Sequence, residues 1–177
     1  MQAGDIATIR EGVEAPDVGP EARETAARLS ALLRHLFLYD RGQMLRVIDE
    51  SGLSTTQVKA LLELGGLGEE PQPRRVSELA ELFGVSAPSM SRAVDGLVRK
   101  RLATRVEDPA DRRVRRVAIA ARGKELVETL LLIRQTGMES FAASLTSAQR
   151  RKLDAAVDTL MDREDIAAAY ELLKEVS

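Results

Sequence analysis

The stretch "RVSELAELFGVSAPSMSRAVDGLVRKRLATRVEDPADRRVRRVAIAARG", residues 75–123, contains the clearest structural pattern of the chain. Ser77 can cap a short helix that runs through Phe83, because a serine hydroxyl accepts a bond from a free N–H of the first helical turn. Gly84 then permits a left-handed turn conformation. Ser86 can cap a second helix in the same way. The pattern predicts a helix, a tight turn and another helix.

The second predicted helix has one apolar and one polar face. At about 100° per residue, its apolar side chains fall within roughly 140° of arc. They are Met90, Ala93, Val94, Leu97 and Val98. The opposite side holds Pro88, Arg92, Asp95 and Arg99, with Ser89 and Ser91 beside them. One face is expected to pack, and the other is free to contact a partner.

A β-hairpin is predicted after this helix. Residues 102–107 and 114–119 are rich in β-branched side chains, and the turn-forming tract "DPADRR" joins them. Arginines stand at the hairpin tip and along both of its faces. A helix-turn-helix followed by such a hairpin is the layout of a winged helix-turn-helix, whose recognition helix fits the roughly 12 Å major groove. The hairpin can then place an arginine in the minor groove.

Composition favours a helical chain that performs no catalysis. The 177 residues are 44% hydrophobic, enough for a core, but only 3% aromatic. Because cysteine is absent, thiol chemistry is excluded. Because His35 is the single histidine, few side chains are available for metal binding or histidine-based acid–base catalysis. We expect no enzyme activity, cofactor or metal. Neither a membrane-spanning stretch nor a signal peptide is recognised, so a cytoplasmic protein is expected.

Charge is concentrated in the middle of the chain. Residues 74–124 contain 13 basic and 6 acidic residues, a net charge of +7, whereas the rest of the chain carries −9. A basic segment in an otherwise acidic protein is typical of nucleic-acid binding. This segment coincides with the predicted helix-turn-helix and hairpin.

Further helices are expected on both sides of this segment. Residues 1–19 are interpreted as a flexible arm, and helical spacing runs from Pro20 to about Tyr39. Residues 41–53 fit either a short helix or a connector. Ser54 and Gln57 form a capping-box pair ahead of another helix that Gly65 and Gly66 end. Beyond the hairpin, a helix is predicted from Arg122 to about Ala143, and Thr146 with Gln149 caps the next.

The expected fold class is therefore mainly α with a small β-hairpin wing. Residues 54–119 form the winged helix-turn-helix, and residues 20–53 and 120–177 form a helical region.

Residues 76–123 resemble the MarR family of bacterial transcriptional regulators. The resemblance lies in "SAPSMSRAVDGL", where that family carries Ser and Ser-Arg positions, and in Asp108–Arg113, which matches a wing of the form D-P-x-D-R-R. The flanking helices also match the order of the family. The chain departs from it at Arg101, where the family usually has glycine, and at Ala121, where it usually has a capping threonine.

The resemblance implies a homodimer in which the first and last helices interlock. Apolar stripes suited to this exchange comprise Leu29, Leu33, Leu36, Leu153, Val157 and Leu160. Two-fold symmetry would place two recognition helices about 34 Å apart on a palindromic double-stranded DNA operator. The resemblance also implies a crevice for a small aromatic or phenolic acid effector, which by position His35, Tyr39 and Met44 would line.

The expected function is that of a dimeric, sequence-specific DNA-binding regulator, acting as a repressor. Expected DNA contacts are Ser86, Ala87, Pro88, Ser89, Ser91 and Arg92 on the recognition helix, with Arg112 and Arg113 at the wing tip. Arg74 and Arg75 either touch phosphates or only keep a loop soluble. The main alternative is a winged helix that contacts proteins and has no specific DNA target. Carboxylate catalysis at Asp108 and Asp111 is less favoured, because both flank a proline turn rather than a cleft.

Overall fold

The computed structural model describes residues 16–66, 70–108, 115–164, 166–168 and 170–171, without the side chains of residues 39 and 40. The elements, in chain order, are α1 (Pro20–Ser51), α2 (Thr55–Leu64), α3 (Val76–Leu82), α4 (Ala87–Arg99), β1 (Ala103–Glu107), β2 (Arg115–Ile119), α5 (Ala121–Ser144) and α6 (Ser147–Met161). This mainly helical fold with a small hairpin confirms the predicted class. None of the described helices is long and apolar enough to cross a membrane.

Helix α1 is longer than predicted. It continues past Tyr39 to Ser51, so the segment left open between a short helix and a connector belongs to α1. Met44, Val47 and Ile48 are partly buried and recur at helical spacing, which explains the continuation. Gly42 does not break the helix, because a glycine there costs only about 1 kcal/mol relative to alanine. The helix ends at Ser51, directly before Gly52, where φ is +58°.

Both predicted capping boxes are present. Gln57 N–H donates to Ser54 Oγ at 3.3 Å, and Gln57 Oε1 accepts from Ser54 N–H at 2.9 Å. Thr146 and Gln149 repeat the arrangement at 3.3 and 2.9 Å. Each pair satisfies two N–H groups that a helix start leaves without partners, and so fixes where α2 and α6 begin.

Helix α3 begins earlier than predicted. Ser77 is inside the helix, and the N-cap is Arg75, whose N–H donates to Glu78 Oε2 at 2.9 Å. The reason lies in the preceding residue: Arg74 exchanges two backbone hydrogen bonds with Val117, at 2.9 and 2.8 Å. This bridge keeps the chain extended up to the cap. Gly84 has the predicted left-handed conformation, with φ +61°.

The hairpin and helices α2 to α5 share one hydrophobic core. Strands β1 and β2 are antiparallel, with Arg105 opposite Val117. The buried core residues are Ala60, Leu61, Leu64, Leu79, Ala80, Met90, Ala93, Val94, Leu97, Leu102, Ala103, Val117 and Val127. The predicted apolar face of α4 supplies four of these, and Val98 packs against them as expected. Helix α4 is therefore anchored along one face.

A close junction joins the end of α4 to the start of α5. Arg101 has a left-handed backbone, with φ +60°, at the position where the MarR family usually has glycine. The Leu102 carbonyl accepts a hydrogen bond from Ala120 N–H at 3.0 Å. The N-cap of α5 is Ala120, so Ala121 is the first helical residue rather than the cap, and the cap has no side-chain hydrogen bond. Gly123 is buried against this junction.

The chain divides into two compact units, residues 1–36 and 37–177. In the first, Leu29 and Leu33 are about half exposed, whereas Leu36 is buried. The second contains the core described above and α6, which has no buried residue. On α6, Leu153 is partly buried, and Val157 and Leu160 are exposed. Large apolar side chains are thus accessible on both α1 and α6.

Candidate nucleic-acid interface

The N-terminal half of α4 is accessible along the predicted contact face. Ser86, Ala87, Pro88 and Arg92 are exposed, and Ser89 and Ser91 are partly buried. Ser86 occupies the N-cap position as predicted, but its side chain makes no capping hydrogen bond. Pro88 lies in the first turn, where its missing N–H costs no helical bond. The first turn therefore presents hydroxyl and backbone N–H groups outward.

Helix α2 packs against α4. Gln57, besides capping α2, donates from Nε2 to the Ala93 carbonyl at 3.4 Å. Gly96 makes this approach possible, since a Cβ there would lie 2.0 Å from Gln57 Nε2. Helix α4 is also tied to the hairpin, because Arg105 of β1 pairs with Asp95 at 2.7 Å. Asp95, which was expected on the free face of the helix, thus forms an ion pair within the protein.

Asp108, directly after β1, is the buried centre of an ion-pair cluster whose arginines are partly exposed. Its side chain is only 1% exposed. Arg116 of β2 donates from Nε to Asp108 Oδ2 at 2.7 Å, and Arg75 donates from Nη2 to the same oxygen at 2.9 Å. A buried carboxylate requires such partners, because removing it from water is costly unless it is paired. Asp108 is consequently a structural acceptor and not an accessible acid or base.

The same cluster reaches the segment that leads into α3. Arg116 also donates from Nη1 to the Pro73 carbonyl at 3.1 Å. Arg74 adds the backbone bridge to Val117, and its side chain pairs with Glu63 of α2 at 3.1 Å. Residues 73–75 therefore run along β2 and are attached to the base of the wing by backbone and side chains.

These contacts place four arginines of the basic segment in ion pairs within the protein. Arg74, Arg75 and Arg116 have carboxylate partners within the protein, and Arg115 pairs across the hairpin with Glu107 at 3.5 Å. The remaining predicted wing contacts, Arg112 and Arg113, lie outside the described residues. The structure brings Arg74 and Arg75 to the wing base, while Ser86 to Arg92 lie on α4.

A cavity of about 420 Å³ lies among the last turn of α1, the end of α4 and the first turns of α5. Its described lining comprises Val47, Glu50, Ser51, Lys100, Leu102, Arg122, Glu125, Leu126 and Thr129. Lys100 Nζ donates to the Ser51 carbonyl at 3.0 Å, so it links α4 to the end of α1. Of the residues expected at an effector crevice, His35 is exposed and Met44 is partly buried, and the side chain of Tyr39 lies outside the described part.

Comparison with known proteins agrees with this geometry. The sequence profile of the MarR family matches residues 51–114, from the end of α1 into the wing. The HTH-type transcriptional regulator YpoP of Bacillus subtilis is 30% identical over 100 residues, which cover 56% of this chain and 67% of that protein. The chain belongs to the MarR family.

Solved structures of MarR-like proteins share the fold. The transcriptional regulator Tm0710 of Thermotoga maritima superimposes with a TM-score of 0.64 and 25% identity, over 77% of this chain and 96% of that one. A point mutant of S. aureus MepR, solved bound to an oligodeoxyribonucleotide, gives a TM-score of 0.52 and 18% identity over 76% of this chain and 96% of that one. As a MarR family member, the chain is a DNA-binding transcriptional regulator by class.

Sequence reasoning missed the partners of Asp108. It interpreted this residue as part of the turn, since an Asp-Pro pair is a common turn signal. Arg75 lies 33 residues earlier, and no local pattern connects the two. The excess of arginine around Asp108 was the available signal, but the burial of this carboxylate depends on tertiary packing.

Proposed function

We propose that this MarR family protein is a dimeric, sequence-specific repressor that binds a palindromic operator. The observation that carries the proposal is the accessible N-terminal half of α4 beside an arginine-rich hairpin, in the one segment of the chain with a strong positive charge. The oligonucleotide-bound MepR structure supports this choice of partner, because its chain has the same fold. Since that partner is chromosomal DNA, the protein acts in the cytoplasm.

Different residues perform base recognition and backbone attraction. Ser89, Ser91 and Arg92 enter the major groove and contact base edges, while Ser86 and the free N–H groups of the first turn of α4 bind a phosphate. Arg112 and Arg113 at the wing tip enter the minor groove. Arg74 and Arg75 make at most outer phosphate contacts, because both are paired with carboxylates.

Dimerisation involves the helices outside the winged segment, residues 20–53 and 120–177. Leu29 and Leu33 of α1, with Val157 and Leu160 of α6, present exposed apolar surface that a second copy would bury. Leu36 and Leu153 belong to the same stripes. The molar mass in solution, measured by light scattering for the native protein and for Leu33→Glu, tests this assignment: a dimer converted to monomer supports it, and a monomeric native protein refutes it.

A small aromatic acid acts as the effector in the cavity beside the end of α4. Arg122 supplies a cation for the carboxylate, and Val47 and Leu126 supply apolar surface for the ring. Occupation of this cavity would disturb the Lys100 contact to α1 and so shift α4. Thermal unfolding with salicylate and with benzylamine tests the charge preference. Stabilisation by the acid that disappears in Arg122→Ala is expected, whereas a preference for the amine would contradict it.

Two variants that remove the same charge, one from the N-terminal half of α4 and one from its last residue, test DNA recognition. Duplexes are first selected from a random-sequence library with the native protein, and affinities are then measured by fluorescence anisotropy. Arg92→Ala should weaken binding to the selected duplex by about 1–3 kcal/mol. Arg99→Ala should change it far less, because the N-terminal residues of a recognition helix contact the bases. Arg113→Ala is expected to weaken binding like Arg92→Ala while leaving the dimer intact.

The alternative function predicts another result. A winged helix that only contacts proteins would select no sequence from the library, and both arginine variants would lose the same weak affinity for any duplex. Catalysis at Asp108 is disfavoured, because that carboxylate is buried between two guanidinium groups.

A further inference from the structure

The ion-pair cluster around the buried Asp108 connects three parts of the molecule that meet at the base of the wing. Asp108 follows β1, Arg116 lies in β2, and Arg75 is the N-cap of α3. The contacts are short, at 2.7 and 2.9 Å, and Arg116 adds a bond to the Pro73 carbonyl at 3.1 Å. Because guanidinium groups are planar and their N–H directions are fixed, these bonds restrict angles as well as distances.

The position of this cluster matters for groove recognition. The residues that connect β1 and β2 begin directly after Asp108, whereas α3 packs against α4. The cluster thus joins the wing to the helix pair that carries the recognition helix. Any rotation of the hairpin about its base would have to stretch or break the bonds at Asp108.

The cluster also controls charge. Asp108 neutralises one guanidinium group and holds both Arg75 and Arg116, whose side chains are 42% and 28% exposed, in ion pairs within the protein. Were the carboxylate lost, the protein would gain one net positive charge, and two arginines would become available to phosphates. Such arginines add affinity for any sequence, since phosphate contacts carry no sequence information directly.

We propose that Asp108 is a positioning residue for operator selectivity, because its ion pairs help to fix the wing relative to the recognition helix and keep Arg75 and Arg116 paired within the protein. This inference rests on the proposed DNA-binding function and names a residue that contributes to its specificity. Its distinctive consequence is that loss of Asp108 lowers affinity for the operator and raises affinity for unrelated DNA.

The test compares Asp108→Asn with Glu107→Gln. Both remove one negative charge from neighbouring positions, but Glu107 is exposed and pairs only across the hairpin with Arg115 among the contacts described. Affinities are measured for the duplex that the native protein selects from a random library and for a scrambled duplex of equal length. The dependence of both on salt concentration is recorded.

In Asp108→Asn, the ratio of the two affinities should fall at least about tenfold, with tighter binding to the scrambled duplex. The slope of log K against log[salt] on that duplex should steepen by up to about 2, nearly one unit per new phosphate contact. Glu107→Gln should keep the affinity ratio within about threefold, because it leaves the Asp108 cluster intact. Parallel loss of both affinities in Asp108→Asn, or an unchanged ratio, would overturn the inference.

A second variant covers the case in which Asp108→Asn does not fold. Arg116→Lys keeps the charge but cannot bond Asp108 and the Pro73 carbonyl with the same fork. It should lower the affinity ratio without changing the salt slope, and amide hydrogen exchange in residues 115–119 of the DNA-free protein should accelerate. Unaltered exchange and selectivity would reject the positioning role. If the native protein selects no duplex, the DNA-binding proposal itself fails, and the exchange measurement still shows whether the cluster holds the wing.

Discussion

Replacement of Gly123 by alanine is expected to open the junction between the end of α4 and the start of α5. A Cβ at this position would lie 2.0 Å from the Leu102 carbonyl oxygen and 2.9 Å from its carbon. Because these are backbone atoms, no side-chain rotation can relieve the contact. The helix or the turn must therefore move by about 1 Å, which strains the bond from Ala120 N–H to the same carbonyl.

The expected cost follows from three terms. Overpacking a tight site costs about 1–3 kcal/mol, and leaving a buried carbonyl poorly bonded costs a similar amount. Alanine returns up to about 1 kcal/mol through its better helix propensity. The free energy of unfolding should therefore fall by about 3 kcal/mol.

Urea denaturation followed by circular dichroism, at one fixed protein concentration, measures this change. Gly42→Ala is the matched control: Gly42 lies inside α1 with nothing within 4 Å of an added Cβ, so alanine should stabilise by about 0.5–1 kcal/mol. Equal effects of the two substitutions, or a stabilised Gly123→Ala, would refute the steric reasoning.

Two further substitutions at the same junction should stabilise the protein. Arg101→Gly removes a side chain from a left-handed conformation that costs about 1–2 kcal/mol, part of which the extra freedom of an unfolded glycine cancels, so thermal unfolding should show a net gain of about 0.5–1 kcal/mol. A lower melting temperature would mean that the Arg101 side chain makes a compensating contact. Ala120→Ser supplies the missing cap of α5 and should raise the free energy of unfolding by about 0.5–2 kcal/mol in urea titrations, with Ala121→Ser, already inside the helix, as the control that gains nothing.

The sequence was sufficient to predict the parts of the fold that depend on local spacing. The apolar face of α4, the boxes at Ser54 and Thr146, and the left-handed Gly84 all follow from residues within a few positions of one another. The extent of α1 was not predicted, because Gly42 and the charged residues around it obscure the apolar spacing. Ser77 was wrongly assigned as a cap, because the start of α3 depends on a strand contact made more than 40 residues away in the chain.

The sequence predicted which residue types form the interface, but it did not predict which of them pair within the protein. Clustered arginine indicated an anionic partner, and the α4 residues expected to contact DNA are accessible. Several arginines instead form ion pairs with Asp108, Glu63 and Glu107. Tertiary packing determines these pairs, so the local sequence does not reveal them. Dimerisation and the effector crevice stay predictions that the experiments above can decide.

The attachment of residues 73–75 to the base of the wing has a consequence for building chimeras. A hairpin exchanged between two relatives as a cassette of residues 103–119 would leave behind the arginine that completes the Asp108 cluster. The transplanted wing would then arrive with a buried acid that has lost its ion pair with Arg75. The transferable module is therefore discontinuous: it consists of the hairpin together with the short segment ahead of α3, and grafts that include both should retain the donor's orientation.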